Sequence, residues 1–222
     1  MTPGGPPLDA DRTLALSYVP TRRRSAIAAL WRLDAALGAV LAGGREPLIS
    51  EIKLAWWRDS LAKLDTARVP AEPILQELAK HALPAGVGGA DLARLEDAWT
   101  ILLAEGSLTA EQLGRYAAGR GALLFRLSAS ILGARLSPEM ERAGEAWALV
   151  DLARHSNPAD AAAAIEAARE RLSLLRWPSR LRPLGMLAAL AARDVEAGLE
   201  RLELPGAPAR MLRMLRHRLT GH

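Results

Sequence analysis

Apolar residues recur at three- and four-residue intervals along almost the whole chain, and Pro, Gly and Ser break that pattern into segments. The spacing predicts helices over 9–17, 21–41, 47–64, 72–82, 91–104, 109–132, 137–155, 157–175, 184–202 and 209–219. Several starts carry their own signal. Thr109 with Gln112 forms a capping-box pattern. Ser137-Pro138 and Asn157-Pro158 each place a capping side chain before a proline at the first helical position. No alternating pattern of strand length occurs, so the fold class is all-α. Residues 1–8 are Gly/Pro-rich and read as a flexible arm, leaving 9–222 as one helical domain. No run of 18 uncharged apolar residues is present, so no spanning helix is expected, and the N-terminus lacks the basic-then-apolar order of a signal peptide.

Three segments depart from simple amphipathicity. In 47–64, Ile49, Ile52 and Trp56 form one apolar stripe, and Leu54, Trp57, Leu61 and Leu64 form another. A helix apolar on two faces is expected to be central, with Trp56 and Trp57 in the core. In 109–132, Gly114, Gly119 and Gly121 weaken the helix, each by up to about 1 kcal/mol relative to Ala, so close helix packing is the expected compensation. In the last helix, Met211, Leu212, Leu215 and Leu219 share one face and Arg210, Arg213, Arg216 and Arg218 largely share the other. Such a helix either packs its apolar face on the body or lies on an anionic membrane.

Composition strengthens the helical reading, because Ala, Leu, Arg and Glu dominate and only one Phe and two Tyr occur among 222 residues. Of 29 basic residues only Lys53, Lys63 and Lys80 are lysines. This Arg bias fits the codon choice of a GC-rich genome or contact with anionic lipid headgroups, and the acidic residues interspersed almost everywhere argue against nucleic acid as a partner. The chain has no cysteine, which excludes disulfides, iron–sulfur clusters and thiol catalysis and fits a cytoplasmic location. No two histidines have the spacing of a metal pair.

Four stretches, SYVPTRRRSAIAALWRLDAA from Ser17, EPLISEIKLAWWRDSLAK from Glu46, YAAGRGALLFRLSASIL from Tyr116 and GEAWALVDLAR from Gly144, resemble successive parts of the squalene/phytoene synthase family. EIKLAWWRDSL is the most specific of them. The likeness is closest to a proteobacterial branch related to a mitochondrial complex I assembly factor. It implies an isoprenoid-synthase-like helical bundle around a central cavity, in a compact variant. The family's enzymes join two prenyl diphosphates head to head, using two Asp-rich helical segments that hold magnesium against the diphosphate.

In this chain the positions matching those carboxylates are degenerate. Gly38, Ala39 and Ala42 stand in the first segment, and His155, Pro158 and Ala159 stand in the second, with Asp151 at the place of an Asn. No acidic residue lies between Asp34 and Glu46. The resemblance therefore implies a non-catalytic relative with no cofactor: a binding or assembly protein, peripheral to the inner membrane, whose partner is an isoprenoid, another lipid, a membrane surface or a protein. A prenyltransferase with a degenerate magnesium site and a helical scaffold without a small ligand are the alternatives. Candidate ligand or anion contacts are Tyr18, Arg22, Arg23, Asp34, Trp57, Asp151 and Arg154, and no catalytic or metal-ligating residue is assigned.

Overall fold

A computed structural model describes residues 6–43 and 46–222. Helices and short turns account for all the regular structure among them, with no strand. The main helices are α1 (Ala10–Ser17), α2 (Thr21–Gly43), α3 (Pro47–Ala62), α4 (Pro73–Glu77), α5 (Gly89–Ile101), α6 (Ala110–Tyr116), α7 (Leu123–Ile131), α8 (Pro138–Ala153), α9 (Pro158–Arg169), α10 (Arg182–Ala197) and α11 (Pro208–Thr220). Residues 1–5 of the expected arm lie outside the described residues. Leu8, at the arm's end, packs against the core.

The caps read from the sequence are present. Thr109 accepts from the Gln112 backbone N–H, and the Gln112 side chain accepts from the Thr109 backbone N–H. Ser137 caps Met140, and Asn157 caps Ala159 and Asp160. Each bond satisfies a helix-end donor that would otherwise lack a partner. Arg24 serves the opposite end of α1: its Nη2 donates to the carbonyls of Ser17 and Val19, both at 3.0 Å. One of the three arginines opening α2 is thereby accounted for.

The segment 110–131 is not one regular helix. Ala117–Ala122 forms a π-helical turn between α6 and α7. Such a turn holds one residue more than an α-turn and rotates the facing of the helix beyond it. Gly121 lies against Gly144 of α8 so closely that an added Cβ would stand 2.3 Å from the Gly144 carbonyl oxygen. Gly119 has the Ala98 Cβ at 3.1 Å in the same sense. Gly114 meets only Arg171, at 3.8 Å. The expected close packing therefore applies at Gly119 and Gly121 and not at Gly114.

α2 runs through the interior and buries Ile27, Leu30, Trp31, Leu33, Asp34 and Leu37. By length and composition alone it could cross a membrane, which the sequence expectation had not allowed; 56% of its apolar window is buried in the protein. Trp31 Nε1 donates to Ser128 Oγ at 3.1 Å, joining α2 to α7.

The expectation for α3 is corrected, and of the alternatives left open for α11 the packing of its leucine face on the body is not found. In α3 the stripe Leu54, Trp57, Leu61 and Leu64 is buried, whereas Leu48, Ile49, Ile52 and Trp56 are exposed, Trp56 by 45%. α3 lies on the outside of the bundle against α2 and α5 and is not a central helix. α11 buries Arg210, Met214 and His217 and leaves Leu212, Leu215 and Leu219 outside. Its packed face is the one whose arginine and histidine find partners or cover in the body; its leucine face is free.

His217 is enclosed with neither ring nitrogen hydrogen-bonded. Burial, then the nearby Arg213 and Arg182, lowers its pKa to about 4. The unfolded chain binds this proton near pH 6.5, so the contribution is fully present above that pH and is lost as pH falls towards 4. The urea midpoint should decline across that window, and His217→Leu should flatten the decline; an unchanged slope in the variant would contradict this assignment.

Candidate functional site

The centre of the bundle is a charged cluster assembled from α1, α2, the π-turn and α8. Arg120 projects from the π-turn and is 1% exposed. Its Nε and Nη2 donate to the two carboxylate oxygens of Asp34, at 2.8 and 3.0 Å. Its Nη1 meets Asp151 Oδ2 at 2.6 Å and donates to the Tyr116 hydroxyl at 2.5 Å. The fork geometry of a guanidinium matches a carboxylate with two parallel bonds, which an ammonium could not do. The guanidinium carbon also lies 4.3 Å from the Trp99 ring centroid and 5.0 Å from that of Trp147. The cation is thus bonded at its edge and covered on its faces.

Arg12 of α1 supports the cluster from the other side. Its Nη1 stands 3.0 Å from Asp34 Oδ2, its Nε 3.2 Å from Asp9 Oδ2, and its guanidinium carbon 4.9 Å from the Trp147 ring centroid. Two buried arginines therefore face Asp34, Asp151 and the more exposed Asp9. Burial alone would raise the Asp151 pKa, but the Arg120 guanidinium, with Arg12 behind it, holds it down at about 2. Burial pushes the Tyr116 phenol well above its ordinary value, against the pull of Arg120. Burial works against the charge on Arg120, but Asp34, Tyr116 and Asp151 together outweigh it and hold the guanidinium protonated.

A second cluster adjoins the first. Arg210 of α11 donates to Asp11 Oδ2 through Nε and Nη2, at 2.9 and 2.8 Å, and to both oxygens of Asp194 through Nη1, at 2.6 and 2.7 Å. Arg154 Nη2 reaches Asp194 Oδ2 at 2.6 Å, and its Nη1 donates to the Glu203 carbonyl at 2.8 Å. Between the clusters is a cavity of about 40 Å³, lined by Asp11, Arg12, Asp151, Arg154 and Asp194 among others. That holds a few waters at most, whereas drug-sized ligands occupy pockets of roughly 300–1,000 Å³.

The candidate residues divide accordingly. Asp34 and Asp151 come together on Arg120. Arg154 belongs to the neighbouring cluster. Tyr18 lies under Arg218, whose guanidinium carbon is 5.2 Å from its ring centroid. Arg22 and Arg23 are exposed and line a groove at the end of α2. Trp57 is buried and packs edge-on against Trp56. Of the degenerate positions, Gly38 faces Trp99, and a Cβ there would stand 2.8 Å from that ring. Ala39, Ala42, His155, Pro158 and Ala159 are exposed. The residues not anticipated from sequence are Arg120, Arg12, Tyr116 and Trp99. The available signal was a lone arginine between two glycines in the apolar run YAAGRGALLF, which needs a buried partner.

Magnesium requires several oxygen ligands in a near-octahedral shell. Asp34 is engaged by Arg120 and Arg12, Asp151 by Arg120, Asp11 by Arg210, and Asp194 by Arg210 and Arg154. Among the described residues, no three of His, Asp and Glu are arranged to hold a metal ion. The carboxylates converge, but on guanidinium groups, and this donor set does not fit the cation.

The helical architecture is consistent with the isoprenoid synthase fold, and the family model for squalene/phytoene synthase matches residues 7–174. The chain belongs to the squalene/phytoene synthase family. No curated protein and no solved structure matches it significantly.

Proposed function

We propose that this chain is a non-catalytic member of its family that acts by binding, as an assembly or adaptor protein. The observation that carries the reading is Asp34–Arg120–Asp151: carboxylates from α2 and α8 meet across a guanidinium supplied by the protein itself. A magnesium–diphosphate pair would have to displace a buried cation bonded to Asp34 at both oxygens, leaving a buried charge without its partner, at a cost of about 3–5 kcal/mol. The small volume between the two clusters favours a protein or surface partner over a bound prenyl chain. The apolar stripe left outside on α3 is consistent with a protein partner. Respiratory-complex assembly is the narrower form of the proposal and rests on the resemblance of EIKLAWWRDSL and its neighbouring stretches alone.

Incubation with farnesyl or geranylgeranyl diphosphate and magnesium should yield no head-to-head product above a protein-free control, as read by chromatography of extracted lipids. Product formation that tracks the amount of protein would refute the non-catalytic reading.

A further inference from the structure

We infer that the end of the bundle built from α11, the α1–α2 junction and residues 179–182 docks on an anionic lipid bilayer. The first observation is the orientation of α11. Leu212, Leu215 and Leu219 are 69%, 36% and 78% exposed, while Arg210, Met214 and His217 face the body. The leucines share one side of the helix at intervals of three and four residues, so they form a continuous ridge. A helix that turns Arg210, Met214 and His217 inward and these leucines outward has used its packing face and still presents a second, apolar one.

The second observation is charge. Residues 204–222 contain no Asp or Glu, and the half-buried Arg213 and the exposed Arg216 flank the leucines. Arg22, Arg23 and Arg180 line an open groove of about 550 Å³ together with Pro20, Thr21 and Leu132. None of these five arginines has a carboxylate within 4.0 Å among the described residues, in contrast to Arg12, Arg120, Arg154 and Arg210, which are paired inside.

Backbone contacts bring the two features to the same end. Arg182 Nη1 donates to the carbonyls of Arg218 and Leu219, at 2.9 and 3.1 Å, and the Trp177 N–H donates to the Gly221 carbonyl at 2.8 Å. These bonds fix residues 177–182, and so Arg180, to the C-terminus of α11. Arg218 over Tyr18, and Arg24 on the carbonyls of Ser17 and Val19, fix the start of α2 there as well.

An apolar ridge on the convex side of a helix, flanked by unpaired arginines, is complementary to a headgroup layer over acyl chains. A bilayer yields to a convex ridge, whereas a folded protein partner would need a matching acidic groove. The leucines would enter the acyl boundary while the arginines stay at phosphate depth.

The test is co-sedimentation of the full chain with vesicles of phosphatidylcholine alone and of phosphatidylcholine mixed with phosphatidylglycerol. Binding should require phosphatidylglycerol and weaken as salt rises. Replacing Leu212, Leu215 and Leu219 together by Ser should reduce partitioning by about tenfold or more, with unchanged thermal unfolding, because these side chains lie outside the core. Arg22→Gln, Arg23→Gln and Arg180→Gln together should also reduce it, by about fivefold for each arginine that reaches the surface. Inorganic phosphate at matched ionic strength should not compete; if it did, the groove would be a site for free phosphate and the bilayer assignment would fail. Equal binding to both vesicle types, binding indifferent to the leucine substitutions, or a soluble dimer that those substitutions dissolve would each overturn the proposal.

Discussion

Arg120→Met should destabilise the protein by roughly 3–5 kcal/mol, a large part of the 5–15 kcal/mol typical of a folded domain. The substitution keeps an unbranched apolar stem, shorter than that of Arg, and removes the one cation bonded to Asp34, Asp151 and Tyr116 at once. Arg12 still touches Asp34, but nothing replaces Arg120 at Asp151. Arg120→Lys should recover little, because a point charge cannot chelate Asp34 at both oxygens and also reach Asp151. Adding Asp34→Asn to Arg120→Met should restore part of the loss, since it removes a charge that the single variant leaves buried.

The pH dependence should distinguish this from simple loss of packing. In the wild type Asp151 is held at about 2, so its contribution is present above the ordinary carboxylate range and is lost as pH falls from about 4 towards 2. In Arg120→Met the burial of Asp151 is no longer offset by that cation, and its pKa should rise. A group raised in the folded state contributes stability at low pH and loses it as pH increases. The variant's deficit should therefore shrink on mild acidification. Urea unfolding of both proteins at several pH values would show it, and a constant deficit would mean that Arg120 acts through volume alone.

Gly121→Ala should be nearly as damaging, at about 3 kcal/mol or more, because the added methyl meets backbone. The Gly144 carbonyl oxygen and carbon would lie at 2.3 and 2.7 Å and Glu145 Cα at 2.8 Å, and none of these can turn aside as a flexible side chain would. α8 would have to move, and α8 carries both Trp147 and Asp151 to the centre. The other two glycines of the segment provide internal controls. At Gly119 the obstacle is the Ala98 methyl at 3.1 Å, so the effect should be smaller. At Gly114 the nearest group is the end of the Arg171 side chain, so Ala should be neutral or stabilise by up to about 1 kcal/mol. Denaturant midpoints for the three variants should order as Gly114, Gly119, Gly121, from most to least stable. Equal midpoints would mean that the close approach of the π-turn to α8 is not a determinant of stability.

The helices were legible because their causes are local. Apolar spacing, Thr109, Ser137 and Asn157 as caps, and prolines at first positions act within a turn or two of themselves. The features that escaped the sequence depend on partners far along the chain. Asp34 stood out as a candidate, but Arg120, its partner, is 86 residues away. The π-turn that aims Arg120 inward answers the fit against α8, and nothing in AAGRGA distinguishes it from a weak α-helix. α11 shows the same limit. Its leucines suggested the packing face, yet Arg210 packs instead because Asp11, 199 residues away, and Asp194 receive it. In α3 two apolar stripes were visible, and only the fold decides which one finds a neighbour. The degenerate motif positions were readable as missing carboxylates; that Trp99 fills the space at Gly38 was not.

The carboxylates that converge inside the bundle are engaged by the protein's own guanidinium groups. Calorimetric titration of the wild-type chain with farnesyl diphosphate, with and without magnesium, tests this most directly. Magnesium should add no binding at all. Saturable, magnesium-dependent binding at one equivalent per chain would contradict the non-catalytic assignment.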